Sequence, residues 1–473
     1  MTTPSAGALA LESLHSCFQG VIPSLIATCS RDGEPNVTYL SQVYYVDARH
    51  VALSCQFFNK TKRNVEENPY AAVVIYDPVT FEAYRLKLRF LRSETSGALF
   101  DTMALRIQVI ASHTGMAGVF RLISSDIYEV LELAPVDGFL LPADPLLDLA
   151  PSAQVTGGPM TEIRGLQVVS ERIARAKDLD DLLNSTLLAL DELLGFSHSM
   201  VLLQDECTKR LVTIASRGYG TGGIGAEVAA GDGMIGTVAA SRRMVRITGV
   251  SCQLRYGRAV RGRVEEAGGA AGLAPEIPLS GLCDAQAQLA LPLLAGERLV
   301  GVLAVESKDP LHFDEWDEAF LQIVANQIAL GIDRMQAADD DGGPAATARA
   351  AATARATPKT GAAARARSFV YYKNDDCIFV DGEYLVRNVP GRIFWKLLTR
   401  RVKDGQVEFT NRELRLDPTL GLPPLKDNLE TRLILLRKRL QEKCADVRLV
   451  PVRRGRFALE VDGPVELLEK DSA

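Results

Sequence analysis

The chain has 473 residues, a formal net charge of −6 and eight cysteines. That length is too great for one hydrophobic core and predicts roughly three domains. The acidic balance excludes a general affinity for nucleic acid, so any such binding must be local. No two cysteines form a C-x-x-C pair, which argues against a zinc ribbon or thioredoxin-like motif and predicts the reduced thiols of a cytoplasmic protein. No run of about 18 apolar residues occurs, and the opening MTTPSAGALALES lacks a basic segment ahead of an apolar one. Neither a membrane span, a signal peptide nor a metal cluster is therefore expected.

Composition divides the chain. Residues 337–367, AADDDGGPAATARAAATARATPKTGAAARAR, hold no aromatic or large aliphatic side chain and predict a flexible Ala/Thr/Arg linker. A weaker break falls at PSAQVTGGPM, residues 151–160. The expected blocks are 1–150, 160–336 and 368–473.

In the first block, SLIATCSRDGEPNVTYLSQVYYVD alternates apolar and polar residues around Asp32-Gly33. That dipeptide predicts a hairpin with a type I′ turn. HVALSCQFF and AAVVIYD read as further strands, with FFNKTKRNVEENP between them as a short helix capped by Asn59 and ended by Asn68-Pro69. Lys60, Lys62 and Arg63 then crowd the helix start, where positive charge is unfavourable unless an anion is present. A solvated turn is one explanation. A phosphate held by backbone N–H groups and these cations is the other.

The hairpin IATCSRDGEPNVTYLS, FFNKTKRNVEENPYAAVVI, YRLKLRFLRSETSGALFDTM and GVFRLISSDIYEVLEL together resemble the FMN-binding split barrel of the pyridoxamine 5′-phosphate oxidase-like superfamily, over about residues 12–135. The resemblance implies FMN at a homodimer interface, with its phosphate held among Asn59, Lys60, Thr61, Lys62, Arg63 and Asn64. Thr61 stands where many members have lysine, and the oxidase's substrate residues have no match. Oxidation of a B6 vitamer is therefore not implied, and no catalytic residue is predicted.

The second block opens with two helices around AKDLD, continues with hairpins HSMVLLQDECTKRLVTIASRG and ALPLLAGERLVGVLAVESKD, and closes with FDEWDEAFLQIVANQIALGIDRMQ, capped by Asp314. An α+β sheet flanked by helices is expected. GDGMIG satisfies G-x-G-x-x-G, but no βαβ unit surrounds it, and a turn entering a helix explains its glycines. SRGYG, GDGMIGTVAASRRMVRI, LALPLLAGERLVGVLAVES and Phe313-x-x-x-Asp317-Glu318 resemble a GAF domain, over about 162–336. The resemblance implies a small-molecule pocket beneath TGVSCQLRYGRAVRG and SGLCDAQAQ. It lacks both the Asn-Lys of cyclic-nucleotide members and the Cys-His of bilin members. His198 and His312 are read as structural.

The third block holds a hairpin at Asp381-Gly382, the helix PGRIFWKLLTRRVKDG, a short helix capped by Thr410 with Glu413, and DNLETRLILLRKRLQEK. In this last helix Leu429, Leu433, Leu436 and Leu440 share one face, and Asn428, Thr431, Leu435 and Lys438 the opposite one. A hairpin with Arg453, Arg454 and Arg456 follows. Residues 426–456 contain ten Lys/Arg against four Asp/Glu, a local footprint for DNA. VDG, NRELR, LRKRLQ and VRRGRFAL resemble the winged helix-turn-helix of OmpR-type response regulators, over about 370–462.

The sequence thus predicts a multidomain chain: a β split barrel, an α+β GAF domain and a winged helix. The expected function is a cytoplasmic, homodimeric one-component transcriptional regulator coupling flavin or small-molecule sensing to DNA binding. The alternative is an FMN-dependent oxidoreductase with regulatory appendages.

Overall fold

The computed structural model describes residues 9–40, 42–56, 60–136, 159–205, 208–219, 223–269, 272–340, 367–374, 376–422, 429–453 and 455–471. Asn59, Asn428 and Arg454, the break at 151–158 and residues 341–366 of the expected linker lie outside them.

The first block is a seven-stranded antiparallel sheet of barrel-like form, in the order β2-β1-β5-β6-β7-β4-β3. The strands are β1 (Ser24–Cys29), β2 (Pro35–Leu40), β3 (Val43–Asp47), β4 (His50–Cys55), β5 (Tyr70–Tyr76), β6 (Ala83–Glu94) and β7 (Ser124–Pro135). Helix α1 (Lys60–Glu67) links β4 to β5, and α2 (Ala98–His113) links β6 to β7. The β1–β2 turn differs from the expected type I′. Gly33 alone takes positive φ, at 84°, within a loop over residues 30–34 closed by Ser30 N–H to Glu34 O at 3.0 Å. Aspartate at the preceding position stays in ordinary backbone, so one glycine suffices.

The second block is a six-stranded antiparallel sheet, β10-β9-β8-β13-β12-β11. Its strands are β8 (His198–Gln204), β9 (Leu211–Arg217), β10 (Glu227–Val228), β11 (Val245–Thr248), β12 (Ala287–Ala295) and β13 (Arg298–Ser307). Helices α3 (Pro159–Arg175), α4 (Leu179–Leu194) and α7 (Glu315–Asp340) pack on one face. Helices α5 (Gly233–Ser241) and α6 (Val250–Glu266) pack on the other. Strand alternation divides the cores: in β8, Val201 and Leu203 join the first cluster, Met200 and Leu202 the second. Asp178 caps α4 by accepting from Asp181 N–H at 2.9 Å, a contact contributing about 1 kcal/mol. Asp314 Oδ1 accepts from the N–H groups of Trp316 and Asp317, as the sequence led us to expect. GDGMIG is the turn into α5, with positive φ at Gly231 and Gly233. Helix α7 continues through Asp340, so the expected linker begins inside a helix.

Helix α2 joins the first two blocks. Its ALFDTMALRIQVIASH is apolar around most of its circumference, the pattern of a helix covered on several sides. Met103, Ile107 and Ile110 share one apolar cluster with Ala52 and Ile127 of the first sheet and with Leu202, Val238 and Ala290 of the second block.

The third block has two sheets: β16-β15-β14-β20 and β17-β19-β18. These comprise β14 (Arg367–Tyr372), β15 (Cys377–Val380), β16 (Glu383–Val386), β17 (Glu408–Thr410), β18 (Val447–Arg453), β19 (Arg456–Val461) and β20 (Val465–Lys470), with β20 parallel to β14. Between them lie α8 (Asn388–Lys403), α9 (Asn411–Arg415) and α10 (Leu429–Lys443). Asp381 and Gly382 both take positive φ, so this hairpin has the type I′ character that Asp-Gly favours. Leu429, Leu433, Leu436 and Leu440 all enter the core of this block.

Candidate functional site

Two of the three cations of α1, Lys60 and Lys62, are paired within the protein. Lys60 Nζ donates to Glu34 Oε1 at 2.7 Å on the exposed β1–β2 turn. Its hydrogen bond and charge hold the Glu34 carboxyl below the usual range. Lys62 turns inward instead. Its ammonium lies 2.9 and 3.0 Å from the two Asp126 oxygens, 2.5 Å from Ser93 Oγ and 4.9 Å from the centre of the Phe90 ring. Both charged side chains are buried, at 9% and 6% exposure. Asp126 also accepts from Ser93 Oγ and Ser124 Oγ, at 2.7 and 2.8 Å. Thr61 Oγ1 accepts from Asn36 at 2.9 Å, Asn64 turns under β1 to donate to Thr28 Oγ1, and Arg63 points to solvent. Of the six residues expected around a phosphate, Asn59 lies outside the described residues and the other five diverge. Only Thr61 and Lys62 border a cavity; Lys60 and Arg63 lie outside it, and Asn64 lies beneath.

That cavity is a cleft of about 730 Å³ between the first sheet and α6 of the second block, within the ligand-sized range of about 300–1,000 Å³. Ile26, Leu53 and Tyr128 form its barrel side, and Tyr256, Val260 and Arg263 its α6 side. Gln56, at its edge, has an Oε1 that is buried without a hydrogen-bond partner among the described residues. A ligand N–H group would satisfy it. Burial, and next the Asp126 charge, push the Cys55 thiol and the Tyr128 phenol up. Both are therefore neutral at ordinary pH, and the cleft offers neither thiolate nor phenolate. Asp126, Ser93, Gln56 and Tyr256 were not anticipated from the sequence. The one available signal was Asp126 itself, a carboxylate inside the apolar run LISSDIYEVLEL.

The pocket expected beneath residues 248–262 and 280–288 is nearly closed. The space beside Glu306 and Gln288 measures about 10 Å³, room for about one water. His113, from α2, is among the residues that line it. Its Nε2 accepts from Met234 N–H at 3.2 Å, and its Nδ1 lies 2.9 Å from Ile277 O. This pair of contacts requires the neutral ring with its proton on Nδ1. Ser112 Oγ accepts from Gly233 N–H at 2.7 Å, so α2 caps α5. Burial lowers the His113 pKa, against a smaller opposing effect of the Ile277 carbonyl. Glu306 accepts from Leu282 N–H, Gln288 and Tyr219, yet burial raises its pKa.

The outward face of α10 lies against the second block. Lys438 Nζ donates to Ile214 O at 2.9 Å and lies 3.3 Å from Asp180. Arg432 donates through Nε and Nη2 to Asp205 Oδ2 at 3.2 and 3.1 Å, with 3% of its side chain exposed. Ile434 is buried in the apolar cluster of α3, α4 and α7, and Leu435 packs against it. Thr431 is 7% exposed, and its hydroxyl has no partner among the described residues. Arg453 and Arg456 line a separate cleft of about 260 Å³ that Asp178 and Asp180 also line. Thr431, Leu435 and Lys438 thus form one face, as their spacing predicted. That face is covered here by the second block, and the arginine hairpin stands beside it.

Comparison with known proteins places the first two blocks in families. Residues 12–130 match the family model for pyridoxamine 5′-phosphate oxidase, and residues 178–332 match that for the GAF domain. The chain thus joins a pyridoxamine 5′-phosphate oxidase-like domain, barrel-like in form, to a GAF domain. Similar solved structures include the GAF domain of a phosphoenolpyruvate-protein phosphotransferase from Acinetobacter, at 20% identity over 38% of this chain and 96% of that one, with a TM-score of 0.31. An FMN-binding protein from Syntrophomonas wolfei subsp. wolfei is 18% identical over 28% of this chain and 89% of its own, with a TM-score of 0.23. Free methionine-R-sulfoxide reductase from Neisseria meningitidis, in complex with its substrate, is 20% identical over 37% and 91%, with a TM-score of 0.30. No curated protein matches the chain. Among the described residues, no helix is long and apolar enough to cross a membrane and no group of side chains is arranged to hold a metal.

Proposed function

We propose that this chain is a one-component transcriptional regulator. FMN binds the cleft between the barrel and α6, the GAF domain relays its occupancy, and a C-terminal winged helix binds DNA. The observation that carries the reading most is the cleft itself. Its walls come from both the flavin-type barrel and the GAF helix α6, so one ligand touches both domains.

The residues fit the group. The apolar surfaces of Ile26, Leu53 and Val260 suit a flat ring, and Gln56 Oε1 suits a ring N–H. Thr61 and Arg263, both lining the cleft, suit the phosphate end, whereas the Lys62 charge is already matched by Asp126. FMN supplies a redox-active, visibly absorbing ring when bound.

The DNA-binding part of the reading is supported by the third block. Three helices are followed by a hairpin, with basic residues on α10 and at Arg453 and Arg456. In winged helices one helix enters the major groove while a hairpin meets the neighbouring backbone. We expect protein purified without added cofactor to be yellow and to release FMN on denaturation. We also expect the full chain to bind duplex DNA from upstream of its own gene, with affinity falling as salt rises. Colourless protein that gives no fluorescence change on FMN titration, or the absence of salt-sensitive DNA binding, would refute the corresponding half.

A further inference from the structure

We propose that the GAF domain acts as an intramolecular DNA mimic: its carboxylates hold the basic face of the C-terminal block and exclude DNA from it. The inference rests on the DNA-binding reading above and concerns the regulation of that same face. Among the described residues, three ion pairs cross the boundary. Asp205 faces Arg432, Asp180 faces Lys438, and Glu227 faces Arg387 at 3.3 Å. In each pair the acid belongs to the GAF domain and the base to the C-terminal block. These carboxylates lie where phosphates would meet a helix seated in a groove.

The contact also excludes DNA sterically. A groove about 12 Å wide must surround a helix that is itself about 10–12 Å across. With Ile434 buried among GAF side chains, α10 has no free flank for that. Approach is close at Gly225, where a Cβ would stand 3.0 Å from Leu435 Cδ1 and 3.1 Å from Arg439 Nη2.

The fit is good in charge, and several hydrogen bonds cross it, but one buried hydroxyl is left unmatched. The Thr431 hydroxyl is buried with no partner among the described residues, which weakens the dock relative to a satisfied group. A face that leaves a polar group unmatched is built for another partner as well, and its dock is correspondingly easier to open.

The test neutralises only the GAF side, leaving every proposed DNA contact intact. Full-length Asp180→Asn/Asp205→Asn/Glu227→Gln is compared with wild type and with a control of equal charge change at exposed remote acids, Asp32→Asn/Glu67→Gln/Glu297→Gln. Amide hydrogen exchange of α10 reports the dock, and fluorescence anisotropy with the upstream duplex reports DNA binding. We expect faster exchange in α10 and at least ten-fold tighter DNA binding for the first variant only. The swap Arg432→Asp/Asp205→Arg should restore wild-type exchange. Two results overturn the proposal while leaving DNA binding intact: equal affinity in wild type and the GAF-side variant, or an equal gain in the control. If neither protein binds any duplex, the DNA-binding reading fails and the mimicry fails with it.

Discussion

Replacing Lys62 with methionine distinguishes a structural ammonium from a phosphate ligand. Methionine keeps most of the apolar stem, so the packing against Phe90 survives while the charge is lost. Asp126 would then be a carboxylate at 6% exposure without its cation. Breaking a buried pair from one side costs about 3–5 kcal/mol. Ser93 and Ser124 still donate to Asp126, which places the expected loss near the lower end, at about 3 kcal/mol. Adding Asp126→Asn removes the stranded charge and should recover most of that loss, giving a large coupling in a double-mutant cycle. A three-block chain does not unfold in one step, and both tryptophans, Trp316 and Trp395, lie outside the barrel. Native-state hydrogen exchange in β6 and β7 is therefore the assay, because it reads the opening free energy of that sheet alone. A loss below about 1 kcal/mol, together with a more than ten-fold loss of FMN affinity, would refute the reasoning. Lys62 would then be a phosphate contact whose pairing with Asp126 is incidental.

Two further outcomes are expected. The His113 pKa lies below its unfolded value, so its stabilising contribution is complete above pH 6.5 and is lost as pH falls through the folded value. The barrel–GAF contact should loosen on acidification, seen as faster exchange in α5, and His113→Ala should show fast exchange at every pH. Arg453→Ala/Arg456→Ala should weaken DNA binding about uniformly across sequences and flatten its salt dependence by about one unit of slope per lost phosphate contact, as measured by anisotropy titrations.

Local chemistry made much of the fold legible. Asp314 and Thr410 cap the helices they precede, and Asp381-Gly382 turns the hairpin that contains it. The leucine stripe of α10 predicted its inner face because period and burial coincide there. What escaped the sequence was partnership over long separations. Asp126 lies 64 positions from Lys62, and Asp205 lies 227 from Arg432. No periodicity encodes such pairs. The crowded cations of α1 suggested an external anion because the acids that face two of them, Glu34 for Lys60 and Asp126 for Lys62, are remote in sequence. Helix α2 was missed for a related reason. Buried from two sides by two domains, it has no clean polar face to mark it.

The central claim is that cleft occupancy and DNA binding are coupled. The most direct measurement is the affinity of the full-length chain for its upstream duplex, by fluorescence anisotropy at fixed salt, with the cleft emptied and then saturated with FMN. The account predicts that FMN changes the apparent Kd by at least about five-fold, the lower end of typical allosteric coupling. An identical Kd in the two states, with FMN shown to be bound, would contradict it.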